Sequence, residues 1–85
     1  MYYVYIIKSL KNNRHYIGCT LNLEARIRQH NQGKTKSTKP YRPWRLIYSE
    51  EFLEKDLAFK REWCLKHPKG YLEKLEIIKK FGEVA

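Results

Sequence analysis

Arg26 and His30 stand four residues apart in a stretch, Leu23 to Asn31, that has helical spacing. At 100° per residue both fall within about 60° of Leu23, which with Ile27 defines the inward stripe. Arg28 falls roughly 140° away and points to solvent. A guanidinium and an imidazole would then project together beside the tyrosine-rich strands expected nearby. The plainer alternative is an Arg26 that snorkels along an apolar surface and a His30 that fills a core edge. Glu62 is the other chemically suggestive position. The helix expected over 52–66 carries two apolar stripes, Leu53/Leu57/Cys64 with Ala58/Leu65 beside it, and Phe52/Phe59/Trp63. Glu62 falls between them, so its carboxylate is partly desolvated, which is costly unless it is paired or holds a cation. Arg61, Lys66 and Lys69 could supply the pair. Mg²⁺, for its part, is often held by only one or two carboxylates plus substrate phosphates, so one Glu suffices.

These groups need a scaffold. Residues 2–8 are β-branched and aromatic and read as a strand. Both of its alternate sets, Tyr2/Val4/Ile6 and Tyr3/Tyr5/Ile7, are apolar, so the strand is expected at the centre of a sheet with both faces covered. Residues 9–13 are turn-like and residues 15–19 form a second strand, giving a hairpin with Tyr16 and Gly18 on one face, where pairing with Tyr5 is allowed. Thr20 or Asn22 caps a helix that runs to about Asn31, and Gly33 stops it. Residues 34–43 read as a basic loop, with Pro40 and Pro43 barring helix there. Residues 44–49 read as a third strand, 52–66 as a second helix closed by Pro68 and Gly70, and 71–81 as a third helix with Tyr71, Leu75 and Ile78 on one stripe. The order ββαβαα predicts an α+β fold in which helices pack on a three-stranded sheet, as a single domain over residues 1–85.

Composition narrows the function classes. The 85 residues carry a net charge of +9, and the excess is one-sided. Residues 1–49 hold ten basic side chains and one acid, Glu24, whereas residues 50–85 hold eight of each. Such a block attracts polyanions, and binding is driven by counterion release from phosphates. Gly and Pro break the block, so it does not lie on one amphipathic helix and a membrane surface fits poorly. No apolar run approaches the roughly 20 residues of a membrane span. Met1 to Ile7 lacks a basic leader and a cleavage site, so no signal peptide is expected and the location is expected to be cytoplasmic. Cys19 and Cys64 stand 45 positions apart, which excludes a disulfide scaffold and disfavours zinc.

Tyr3-Val4-Tyr5, a ten-residue spacer and Tyr16-Ile17-Gly18 resemble the paired signature of the GIY-YIG nucleases. Arg26, ten residues after Tyr16, His30 four later, and Glu62 on the next long helix continue the resemblance, as do the strings RIRQHNQGK, PWRLIYSEEF and AFKREWCLK. Tyr3 stands where the family name has glycine, and Val4 where it has isoleucine. The likeness is to the short, stand-alone bacterial members. It implies a three-stranded antiparallel sheet flanked by about three helices, and a DNA endonuclease that uses a divalent metal, Mg²⁺ or Mn²⁺. Carried onto this chain, Glu62 would hold the metal and Arg26 would brace the scissile phosphate. Tyr5 or Tyr16 would position or deprotonate the attacking water, with His30 assisting. Gly18, Thr20, Asn31, Lys34, Lys36, Lys39 and Arg42 would contact the nucleic acid. Low intrinsic sequence specificity, structure-selective action in DNA repair or processing, and a monomer are expected. The alternative is a non-cleaving nucleic-acid-binding module of the same fold.

Overall fold

The unbroken β-branched and aromatic run forms β1, Tyr2–Ser9. In the computed structural model, which describes residues 1–82, β1 is the middle of three antiparallel strands. It pairs on one side with β2, His15–Thr20, and on the other with β3, Trp44–Phe52. Val4, Tyr5, Ile6 and Ile7 are each 1 % exposed or less, as expected for a strand covered on both faces. Strand alternation divides them between two small cores. Val4 and Ile6 pack with Ile17, Ala58, Leu65 and Ile77 on one face, and Tyr5 and Ile7 pack with Trp44, Tyr16, Leu23, Ile27 and Tyr41 on the other. The observed α+β architecture therefore matches the expected one. Residues 83–85 of the expected domain lie outside the described residues.

Local chemistry sets the helix ends. In α1, Leu23–Asn31, the Asn22 side chain accepts a hydrogen bond from the Ala25 N–H at 3.1 Å, so Asn22 rather than Thr20 is the cap. Gly33 follows at φ +78°, in the left-handed region that strains other residues, and its N–H bonds the His30 carbonyl. The chain then makes a 3₁₀ turn, Lys39–Tyr41, where a loop without helical character was expected. Pro40 sits at its first turn, where the missing N–H has no partner to lose.

Two other expectations change. β3 runs to Phe52, not 49, because Phe52 pairs with Tyr2 and Glu51 with Tyr3 along the full length of β1. The next helix, α2, consequently spans Lys55–Lys66 rather than 52–66. Its inward residues are Ala58 and Leu65, flanked by Arg61 and Glu62, while Leu53, Leu57, Phe59 and Trp63 are exposed. In α3, Tyr71–Gly82, the buried residue is Ile77, and Tyr71 and Leu75 are exposed. The corner before it fixes that rotation. Gly70 is buried against the Cys64 carbonyl with no room for a Cβ.

Arg61 ties these elements together. Its guanidinium forks onto Glu50 of β3, at 2.9 and 2.8 Å, and reaches Glu73 of α3 at 2.8 Å. Arg61 and Glu50 side chains are each 21 % exposed, so the pair is largely out of water. Arg61→Met should leave Glu50 unpaired and lower stability by about 2 kcal/mol, below the full cost of breaking a buried pair because a fifth of each group stays wet. A lower urea midpoint at unchanged slope checks this.

Candidate active site

Tyr5 and Gly18 face each other across β1 and β2. A Cβ built at Gly18 would lie 2.5 Å from Tyr5 Cζ and 2.9 Å from Cε1, so the phenol ring crosses β2 directly over this glycine. The ring passes towards the edge of the sheet because Gly18 presents no side chain. Gly18, expected among the nucleic-acid contacts, is on this face covered by the chain's own phenol.

At the end of that ring the Tyr5 hydroxyl meets His30 Nε2 at 2.8 Å, and His30 Nδ1 meets Thr38 Oγ1 at 2.9 Å. The direction of these bonds follows from the far end. The Thr38 hydroxyl donates to the Thr35 carbonyl at 3.3 Å, so towards His30 it accepts. Nδ1 therefore carries the hydrogen, Nε2 offers its lone pair, and Tyr5 donates to it. Thr38 itself is held by Trp44, whose indole N–H donates to its carbonyl at 2.9 Å. His30 and Thr38 are 0 % and 1 % exposed, so this is a dry, directed chain.

Burial sets the charges. It pushes the Tyr5 phenol up to about 12, with Arg26 opposing and Tyr16 and Glu62 adding to the rise. Burial, then the Arg26 charge, bring the His30 imidazole down to about 4. The resting pair is thus a neutral phenol and a neutral imidazole at pH 7. This predicts a stability window. An unfolded His, near 6.5, binds a proton that folded His30 refuses, so stability is complete above about pH 6.5 and falls as pH drops towards 4, by up to about 3 kcal/mol. Unfolded Tyr, near 10, loses a proton that Tyr5 keeps, so a similar loss runs from about pH 10 to about 12. Urea unfolding against pH should show both limbs, and His30→Asn should flatten the acid one.

The Tyr5 and Tyr16 hydroxyls lie near enough to the Arg26 guanidinium to favour its charged form, and its Nη1 donates to Gln29 at 3.2 Å. The Tyr16 ring lies 5.0 Å from the His30 ring and 6.4 Å from Tyr5. Arg28 is exposed, as the helical wheel requires. Glu62 approaches from α2, past the β2 edge. Its charge is felt by Tyr5 and by the Cys19 thiol of β2. The Glu62 side chain is 22 % exposed, and Lys66 donates to it at 2.8 Å. Lys66 Nζ also lies 5.8 Å above the centre of the Tyr16 ring. Thus Tyr5, Tyr16, Arg26, His30 and Glu62 converge from four elements.

Among the described residues no group of three or more His, Cys, Asp and Glu gathers as a metal site. Glu62 offers one half-buried carboxylate with a polar, partly open surround. That donor set fits Mg²⁺, which takes the rest of its oxygens from water and phosphate, and does not fit zinc.

The residues expected to touch nucleic acid separate. Lys34, Lys36, Lys39 and Arg42 are exposed. Lys39 and Arg42 line a groove of about 530 Å³ with Lys11 and Pro40. Asn31 instead clamps the Trp44 backbone, accepting from its N–H at 2.6 Å and donating to its carbonyl at 3.1 Å. Thr20 is turned onto Asn22 beside the helix cap. Of the three cations expected as partners of Glu62, Lys66 is the one that pairs with it. Thr38 was not anticipated from the sequence. Thr38 carries no signal, because a Thr in a basic loop looks like any other.

This arrangement defines the class. The GIY-YIG catalytic domain profile matches residues 1–76, and the chain belongs to that nuclease family. Its relatives are bacterial. UPF0213 protein SH2523 of Staphylococcus haemolyticus is 50% identical over 66 residues, covering 76% of this chain and 79% of that one. UPF0213 protein YsiG of Lactococcus lactis is 38% identical over 79 residues, covering 92% and 75%. The solution structure of UPF0213 protein BH0048 from Bacillus halodurans shares 32% identity and superposes with a TM-score of 0.57 over 98% of this chain and 89% of that one. Among the described residues no helix is long and apolar enough to cross a membrane.

Proposed function

We propose that this protein is a divalent-metal-dependent endonuclease that hydrolyses DNA phosphodiester bonds, with low intrinsic sequence specificity and selection by substrate shape, in DNA repair or processing. The observation that carries the reading is the directed chain from Tyr5 through His30 to Thr38, flanked by Arg26 and facing Glu62.

Because the Tyr5 hydrogen is committed to His30, the phenol oxygen keeps a lone pair for the attacking water. Water donates to Tyr5, Tyr5 donates to His30 Nε2, and the proton has one direction to move. Burial raises the phenol and lowers the imidazole, so that transfer is opposed at rest. Tyr5 therefore orients water in the resting site and accepts its proton only as charge develops at the reaction centre. Arg26 stabilises that charge by charge-assisted hydrogen bonds to the scissile phosphate. Glu62 would hold Mg²⁺ or Mn²⁺, which when bound neutralises a non-bridging oxygen and the departing 3′ oxygen. Lys34, Lys36, Lys39 and Arg42 are long cations suited to backbone phosphates, which position a duplex without reading it.

The Glu62–Lys66 ion pair favours one competing reading, a module of the same fold that grips nucleic acid without cutting it. One assay separates them. Labelled branched, single-stranded and duplex DNA are incubated with Mg²⁺ or Mn²⁺ and with either the wild type or Glu62→Gln. Cleavage present in the wild type and lost in the variant is expected. Cleavage that persists in Glu62→Gln overturns the assignment, and salt-sensitive binding with no cleavage establishes the module.

A further inference from the structure

Phe59 and Trp63, one turn apart on α2, are 48 % and 53 % exposed. They belong to a groove of about 250 Å³ lined by Phe59, Glu62, Trp63, Lys66 and His67. Glu62 is thus shared between this groove and the candidate active site. The indole is already fixed. The His67 ring stacks on it at 3.9 Å and 17°, and the His67 Nδ1–H donates to the Trp63 carbonyl at 2.6 Å. Lys66 stands between groove and site, bonded to Glu62 and lying over Tyr16. An ammonium has three donors, so Lys66 retains capacity for a phosphate oxygen.

We propose that this groove is a nucleotide subsite, in which the base next to the scissile phosphate lies against Trp63 and Phe59 while Lys66 takes its phosphate. The proposal rests on the nuclease reading for its position beside the cut, not for its chemistry. Aromatic faces accept any base, because every base has a π-face, and a neighbouring cation supplies the backbone contact. A pinned indole loses little freedom on stacking, which favours binding. The base must have a face free of duplex stacking, so the occupant is an unpaired nucleotide.

The test is run in chelator, where no cleavage occurs. A short oligothymidylate and an abasic oligomer of equal length are titrated while tryptophan emission is followed. Trp44 is 5 % exposed and supplies a constant background. The thymidylate is expected to quench Trp63 and to bind about tenfold more tightly than the abasic oligomer. Trp63→Leu should remove the quenching and the preference while leaving abasic binding unchanged, and Lys66→Ala should weaken both oligomers. Equal affinity of the wild type for the two oligomers, or emission unchanged at saturation, overturns the subsite. Quenching with preference intact in a protein that fails to cleave with metal supports the subsite and counts against the nuclease reading alone.

Discussion

Arg26→Ala is expected to slow metal-dependent DNA cleavage by roughly 10²–10³-fold, about 3–4 kcal/mol of barrier, which is the usual cost of removing one aligned donor from a developing oxyanion. Arg26 is the guanidinium whose charge acts on Tyr5, Tyr16 and His30, and Arg28 points to solvent. Binding should weaken far less than turnover, because the exposed cations at Lys34, Lys36, Lys39 and Arg42 remain. Arg26 also acts on the titration of its neighbours. It is a cause of the low His30 value and an opposing influence on Tyr5. In the variant, His30 should titrate above about 4 and Tyr5 should become still harder to ionise, both readable by NMR. Arg26→Lys keeps the charge but loses the planar fork, and should fall between wild type and Ala.

Gly18→Ala should be strongly destabilising. The added Cβ has to occupy space held by the Tyr5 ring, 2.5 Å from Cζ. That ring cannot swing aside cheaply, because Tyr5 is 1 % exposed and its hydroxyl is anchored on His30. Either β2 moves off β1 or the phenol leaves the imidazole. Overpacking and a buried, unsatisfied Nε2 together cost about 3 kcal/mol, a large part of the stability of a domain this small. Urea unfolding should show the loss. Gly18→Ala combined with Tyr5→Leu should be less destabilised than the sum of the two changes, because the second makes room for the first. Additive losses would show that the ring and the glycine do not compete for space.

Periodicity revealed what is local. The apolar alternation of Tyr2 to Ser9 marked the central strand, and the wheel of α1 separated inward Arg26 and His30 from outward Arg28. The face shared by Tyr16 and Gly18 followed from strand alternation, whereas the register that sets Tyr5 opposite Gly18 did not. Contacts set by distant chain were hidden. The last three residues of β3 are two acids and the first residue of the helix expected over 52–66, and it is the pairing with β1 that makes them strand. The rotation of α3 depends on the Gly70 corner, so Ile77 faces inward and Tyr71 and Leu75 do not. The wheel of α2 put Glu62 between two apolar stripes, but Phe59 and Trp63 of one and Leu53 and Leu57 of the other are surface, so Glu62 borders a single inward face. Thr38 acts across eight residues and a 3₁₀ turn, a separation at which no periodicity carries information.

The two half-cores lie on opposite faces of one sheet, whose middle is the strand from Val4 to Ile7. Any attempt to engineer a hardier variant by repacking beneath α2 and α3 would press on the reverse side of that partition and shift the phenol on its front. Thermal tolerance and turnover in this chain are therefore coupled traits, and directed evolution of one should be screened for drift in the other.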